Sequence, residues 1–313
     1  MINKTGSLPD SLSSYNAKKT LSKRAELIRN IREYFFKENV LEVQTPLLNS
    51  YPVTDPHLEN IRVENPPCNH NSLKNWLFLT TSPEYEMKKL LALNSGSIYQ
   101  ICKAFRQDSP GPKHLIEFSI LEWYRVGYCI DELIDDVYKL LCQCLGINDM
   151  KKISYQDVFL KYLNIDPFKT SMLDLEKYTK SKIDFNFDVK DKNILLDLLF
   201  SHLIEPSLGH DKPCFVLDYP SDQAALAKTN FDKQGNKIAK RFELFINGIE
   251  LANGYEELTE SNEYLERFQQ QNNVREKIGL DIREIDEAFI SALEKKLPYC
   301  SGVAIGLDRL LVL

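Results

Sequence analysis

Two arginines and a few carboxylates, far apart in the chain, are the residues with chemistry to offer. Arg106 follows a strand-like run over 97–105 and precedes the polar loop 107–114, which ends at His114. A guanidinium at a strand end is a planar, permanently charged fork that can hold a phosphoryl oxygen while charge develops on it. Sheet-edge arginines are also common without any such role, so Arg106 alone specifies no activity. Glu250 and Glu257 lie seven residues apart, with Gly254 between them to allow a turn. Both can then face one cavity and share magnesium or an ammonium group, although from spacing alone a solvated acidic hairpin is the commoner outcome. In 301–309, Gly302 and Gly306 let a ligand approach the backbone where a helix starts, beside a second fixed arginine, Arg309. A tight strand-to-helix turn with an Asp308–Arg309 surface pair is the other reading.

These groups need elements to hold them. Residues 1–20 are polar, rich in Ser and Asn, and read as a flexible lead. Leu21, Ala25, Ile28, Ile31 and Phe35 then recur at helical steps, predicting a helix over 21–38. A short strand over 40–44 is stopped by Pro46. Residues 77–80 read as a strand, and Ser82-Pro83-Glu84 as a helix start with Ser82 as cap and Pro83 in the first turn. The runs 97–105 and 117–125, joined by a Pro-rich loop, suggest an antiparallel pair. From 130 to 200 the pattern is mostly helical, with 145–205 as an insertion that carries no recognisable chemistry. Strands return at 214–219, 241–246 and 250–253. A charged helix over 261–278 should present Glu263 and Arg267 on a solvated face. A helix over 285–297 and a small-residue strand over 301–305 complete the pattern. No internal repeat appears, so 21–313 reads as one α+β domain.

Composition narrows the function classes. With 39 basic against 45 acidic residues the net charge is -6, so no global positive field draws the chain to nucleic acid or to an anionic membrane. The sequence contains no run of eighteen apolar residues, and its first six residues are too polar for a signal peptide; the cytoplasm is the expected location, with no membrane partner. Seven scattered cysteines without a C-x-x-C pair, and five histidines without metal-ligand spacing, argue against disulfides and transition metals.

Taken together, the chain from about Arg24 onward resembles the catalytic core of class II aminoacyl-tRNA synthetases, an antiparallel β-sheet flanked by helices, and within them the lysyl type. The first helix, strand and Pro46 resemble the family's dimerising first motif. Phe105-Arg106 through Glu117-Phe118 to Glu122-Trp123-Tyr124 resembles the second, and Gly302 to Arg309 the third. Thr81-Ser82-Pro83-Glu84-Tyr85 and Glu250-Leu251-Ala252-Asn253-Gly254-Tyr255 are signatures of the lysyl branch. About twenty residues precede the first helix, far short of an OB-fold, so no tRNA-reading module is expected. A stand-alone lysyl core of this length resembles the elongation factor P lysine ligases, which attach (R)-β-lysine to a lysine of that factor. Ala304 fits this branch, where tRNA-charging enzymes usually have glycine; one methyl group is worth only about 1 to 3 kcal/mol of selection.

The resemblance implies ATP and Mg2+ as cofactors, a lysine or (R)-β-lysine substrate, elongation factor P as partner, and a homodimer. It implies Arg106 and Arg309 as the catalytic arginines, on the α-phosphate and the far phosphate. Phe118 would stack on adenine and His114 lie near the phosphates, with Gln107, Asp108, Leu251 and Gly306 completing the nucleotide site. Glu250 and Glu257 are the implied magnesium carboxylates. Ser82, Pro83 and Glu84 would meet one substrate ammonium, Tyr124 and Glu257 the other, and Asn253 the carboxylate. The chain departs from the family at Gln107-Asp108, where Arg-x-Glu is usual, and at Leu115-Ile116, where Asn-Pro is usual. It also ends at Leu313, four residues past Arg309, so the last helix must lean on tertiary packing. Two rival readings share the pattern: a free-standing enzyme that charges tRNA or another amine, and a non-catalytic paralogue with a regulatory or binding role.

Overall fold

The structure is a computed structural model that describes residues 14–65, 75–107, 115–185, 189 and 191–313, with side chains from 18 onward. Cys68, Asp108 and His114 lie outside the described residues, as do 1–13 of the expected lead.

The chain opens with α1 (Ser14–Lys37), followed by short strands β1 (Leu41–Glu42), β2 (Leu48–Asn49), β3 (Arg62–Glu64) and β4 (Trp76–Leu79). Helix α2 (Glu84–Ala92) leads into the long pair β5 (Ile98–Phe105) and β6 (Glu117–Val126). Then come α3 (Ile130–Leu145), β7 (Lys151–Ser154), α4 (Tyr155–Leu163), α5 (Met172–Lys182) and α6 (Lys192–Leu199). The last third holds β8 (Cys214–Pro220), β9 (Thr229–Phe231), β10 (Lys237–Ile246) and β11 (Ile249–Glu256), then α7 (Ser261–Lys277), α8 (Glu287–Glu294), β12 (Cys300–Gly306) and α9 (Leu307–Leu310).

Helix α1 starts earlier than the apolar stripe predicts. Its first turns contain no Gly or Pro to break them, so the helix runs back to Ser14, and because Lys18, Lys19 and Thr20 are exposed, those turns leave no burial pattern to read. The stripe itself does bury: Leu27, Ile31, Tyr34 and Phe35 enter the core, and Phe35 stacks on Tyr99 with ring centroids 4.3 Å apart.

The main sheet runs β1-β5-β6-β12-β11-β10-β8-β7, with β9 paired to β10, and a small sheet β2-β4-β3 stands beside it. Every pairing from β5 to β8 is antiparallel; only the outer pairs, β1 with β5 and β7 with β8, are parallel. One face of this sheet packs on α1 and α3 through Trp123, Leu121, Val303, Ile305, Leu244 and Ala252. A second core joins α4, α5 and α6 to β8 and β10, around Tyr155, Phe159, Leu199, Phe200 and Phe245. A third ties α2, α7 and α8 together through Met87, Leu91, Tyr264, Phe268 and Phe289.

Two local expectations fail. Strand β7 interrupts the helical stretch because four residues are too few to show alternation, yet they pair in register with β8. Arg267 is not on a solvated face: beside its pair with Glu263 it donates to the carbonyls of Ala225 and Ala227, both at 2.7 Å, and so pins α7 to the strand-side loop.

Candidate active site

Strand register builds the floor of the site. Glu122, Ala304, Asn253 and Glu243 stand in one row across β6, β12, β11 and β10; Tyr124, Gly302, Tyr255 and Arg241 form the next. Side chains on one face of a sheet repeat every second residue, so these rows face away from the apolar core and line one cavity of about 1770 Å³. Glu250 would be on the wrong face by simple alternation. Leu244 pairs with Ala252 but Phe245 pairs with Glu250, which leaves Leu251 without an opposite number on β10. This bulge returns Glu250 to the cavity face shared by Asn253, Tyr255 and Glu257. Both carboxylates thus reach the cavity as expected, but the bulge does it and not a turn at Gly254. Gly254 is paired within β11, and a Cβ there would lie 2.4 Å from Cζ of Phe242.

At one end of the cavity are the two arginines. Arg106 stands just past β5, its N–H donated to the carbonyl of Ile116 at 3.0 Å and its guanidinium 5.1 Å from the centroid of the Phe118 ring. Its Nε is buried with no hydrogen-bond partner among the described residues. Arg309 reaches the same cavity from α9, donating Nη1 to the Glu250 carbonyl at 2.5 Å, with Glu250 Oε2 at 3.5 Å. Asp308 does not pair with it. Asp308 instead accepts the Ser119 N–H at 2.6 Å and pairs with Arg24 at 2.8 Å, while Arg24 also donates to the Ser119 hydroxyl at 2.7 Å. With Leu307 and Leu310 buried, this bracket supplies the tertiary support that a four-residue helix needs. Gly306 lies beside Arg309, and Leu251 lines the cavity while packed into the core. Gln107 is exposed and is not part of the cavity wall; its N–H is tied to the Glu59 carbonyl at 2.9 Å.

The other end is rich in carboxylates. Helix α2 begins at Glu84, one residue later than expected, with the Ser82 hydroxyl accepting the Glu84 N–H at 3.4 Å and Pro83 at the boundary. Ser82 and Glu84 line the cavity and Pro83 does not. Glu84 pairs with Lys88 at 2.6 Å, and Lys88 pairs with Glu257 at 2.7 Å. Tyr124 donates its hydroxyl to Glu122 at 2.7 Å. Burial, with the charge of Glu84 adding to it, pushes the Glu122 carboxyl up to about 8. Burial also raises Glu257, with the Lys88 ammonium opposing. Space for these groups comes from Gly302, where a Cβ would lie 2.3 Å from the Tyr124 ring and 2.7 Å from Glu257 Oε1.

Between the ends lies a group that pattern reading missed. Arg241 pairs with Glu243, donates to the Gln223 carbonyl at 2.7 Å and to Asn253 Oδ1 at 3.3 Å, and lies 4.6 Å over the Tyr219 ring; Tyr219 donates to Glu243 at 2.7 Å. Burial raises the Glu243 carboxyl, Arg241 opposes the rise, and the charge of Glu250 adds to it. The helical stretch contributes too: Tyr155 and Asp197 line the far wall, and burial pushes Asp197 up to about 6. Glu122, Lys88, Arg241 and Glu243 carry the geometry here. Only their strand partners and the i,i+4 spacing of Lys88 from Glu84 signal them in the sequence.

Among the described residues, no three His, Cys, Asp or Glu side chains gather as a metal site. Magnesium needs only one or two carboxylates when phosphate oxygens and water complete its shell. Glu250, part-exposed and close enough to Glu243 to raise its carboxyl, fits that demand; Glu257 is already matched by a buried ammonium.

A sheet of this topology, with an arginine at the end of β5 and another on the helix after β12, is the site of a known class. The family model described as tRNA synthetases class II (D, K and N) matches residues 10–313, and the chain belongs to that family. Within the class, the chain is similar to proteins named elongation factor P--(R)-beta-lysine ligase. That of Mannheimia succiniciproducens is 42% identical over 295 residues, that of Buchnera aphidicola subsp. Acyrthosiphon pisum (strain Tuc7) 46% over 296, and that of Hamiltonella defensa subsp. Acyrthosiphon pisum 44% over 299; each match covers 94% of this chain and 90% of the relative.

Proposed function

We propose that this chain is an ATP-dependent ligase that activates (R)-β-lysine as an acyl adenylate and transfers it to a lysine of elongation factor P, a post-translational modification. The observation that carries this reading is one cavity with arginines at one end and buried carboxylates at the other, in a chain 42–46% identical to ligases of that name.

The substrate carboxylate attacks the α-phosphorus and pyrophosphate leaves. The acceptor amine then attacks the mixed anhydride, losing a proton as AMP departs. Catalysis of the first step is positioning and charge stabilisation. Arg106 holds the α-phosphate, Arg309 the far phosphate, and Phe118 stacks on adenine. Leu251 and Gly306 pack against the nucleotide, while Gln107, Asp108 and His114 belong to the loop that borders it. Glu250, with Glu243 beside it, holds the magnesium ion, which supplies positive charge to the phosphates. Glu84 and Ser82 face one substrate ammonium; Glu122, Tyr124 and Glu257 face the other; Asn253, held by Arg241, meets the carboxylate.

The domain runs over 21–313, with 145–205 as a helical insertion that closes the far wall of the cavity. The chain works in the cytoplasm as a homodimer through α1 and β1, a reading supported by the exposure of Leu21, Phe36 and Leu41 there. Exchange of labelled pyrophosphate into ATP, run with α-lysine and (R)-β-lysine, tests the adenylation. The expected result is exchange with (R)-β-lysine, and exchange with neither removes the reading. A mass gain of one lysyl group on elongation factor P tests the acceptor; a charged tRNA beside an unmodified factor reverses it. A concentration-independent monomer in sedimentation removes the dimer.

A further inference from the structure

Lys88 is fully buried, yet it forms no part of the cavity wall. Its ammonium sits 2.6 Å from Glu84 Oε1 and 2.7 Å from Glu257 Oε2, and 5.4 Å from the centroid of the Tyr264 ring. The first contact is local: glutamate four residues ahead of lysine is the favourable order on a helix. The second joins α2 to the end of β11, two elements that do not pair through their backbones. The ammonium donates a hydrogen bond to Glu84, is ion-paired with Glu257 without a well-aligned hydrogen bond, and has the Tyr264 ring on a third side.

Each carboxylate spends one oxygen on Lys88. The other oxygen of Glu257, Oε1, lies 2.7 Å from where a Cβ on Gly302 would fall, and Glu257 and Gly302 both line the cavity. Glu84 keeps about a fifth of its side chain exposed and lines the same cavity. Glu122 is the third carboxylate of this end. Three carboxylates and one resident ammonium leave room for two further positive charges, the number that a diamino acid carries.

We propose that Lys88 is a positioning residue of the amino-acid pocket: by holding one oxygen each of Glu84 and Glu257, it turns their remaining oxygens toward the two ammonium groups of the substrate. The inference rests on the ligase reading above and extends it to a residue that touches no substrate. Packing alone does not call for a charge here. Buried ion pairs can usually be exchanged for apolar residues of similar volume with little loss of stability, whereas removing one partner strands the other.

The test uses Lys88→Met, Glu257→Gln and the double variant in the full chain, with pyrophosphate exchange as the readout and thermal unfolding as the check on folding. Lys88→Met should raise KM for (R)-β-lysine by about tenfold or more while KM for ATP stays within about twofold and kcat changes less than KM. Because Lys88 acts through Glu84 as well as Glu257, the double variant should be worse than Glu257→Gln alone but lose less than the product of the two single losses. An unchanged lysine KM in Lys88→Met, or a double variant whose loss is the product of the two single losses, overturns the proposal. Should Lys88→Met not fold, the variant Glu84→Gln with Glu257→Gln is compared with the same chain also carrying Lys88→Met: equal KM for (R)-β-lysine supports the role and a further rise of about tenfold rejects it. Wild-type chain that exchanges with neither lysine sinks the ligase reading and this inference together; wild-type chain that exchanges but ignores Lys88 sinks only the inference.

Discussion

At one end of the cavity Arg106 and Arg309 stand partly open to water; at the other Glu122 and Glu257 are almost fully buried. A guanidinium keeps its charge in any surroundings, so the arginine end has only to be aimed. A buried carboxyl does not, and its charge depends on what stands beside it. Glu122, with no ion pair among the described residues, holds its proton up to about 8, whereas Glu257 has Lys88 against it. The arginine end is therefore a fixed electrode, and the carboxylate end is one whose charge the arriving ligand completes.

The largest expected effect breaks the fixed end. Arg106→Ala should lower the rate of pyrophosphate exchange by about 10²–10³-fold, with little change in KM for the amino acid, since a donor that meets developing charge acts on the chemical step. At the other end, Glu122→Gln should do the reverse, raising KM for (R)-β-lysine by about 10- to 100-fold with a smaller change in kcat. Titration calorimetry in buffers of different ionisation enthalpy should also show that wild type releases a proton on binding the diamino acid near pH 7 and that this variant releases less.

Gly302→Ala sharpens the same end by filling it. The new methyl meets the Tyr124 ring, which is packed, so the expected loss is about 1–3 kcal/mol of stability, read as a lower Tm, together with a weakened lysine site. Stability should also fall as pH rises from about 4.5 to about 8. Over that window Glu122 keeps its proton in the fold and loses it in the unfolded chain, so the native state binds more protons; Glu257 and Asp197 act in the same direction. The carboxylates held low, Glu42, Glu132, Asp149 and Asp232, act only as pH falls further. Saturating (R)-β-lysine should flatten the slope, and denaturant melts across this range check it. The smallest effect is at the support of the fixed end: Asp308→Asn should lower kcat by a few fold, because α9 loses its ion pair with Arg24 and Arg309 loses some of its aim.

The arginine end was the more legible in sequence. Arg106, Phe118 and Arg309 lie on or beside elements whose periods are strong, and β5, β6 and β12 fall within a residue or two of their expected bounds. The carboxylate end was read only by its outlying members. Glu84 and Tyr124 belong to motifs and Glu257 lies two residues past one; Glu122, though inside a motif, and Lys88 acquire their meaning from residues more than thirty positions away, Glu84 and Glu257 respectively. Arg241 and Glu243 were read as part of an ordinary strand because alternation says which residues share a face, not which face looks onto a cavity. The helical stretch gave no chemistry for the same reason, although Tyr155 and Asp197 reach the cavity wall. Glu250 reaches the cavity through the bulge and not through a turn at Gly254, and an unpaired residue in a strand leaves no mark in a hydrophobic pattern.

That unpaired residue, Leu251, makes the two halves of one strand independent in phase. Substituting it should trouble the packing beneath and the cavity wall it forms, and leave the phase unchanged. Were Leu251 to pair regularly with Phe245, the bulge would close and Glu250 would turn into the oil, leaving Arg309 without its carboxylate neighbour. The break in pairing, more than side-chain identity, is what this stretch has to preserve.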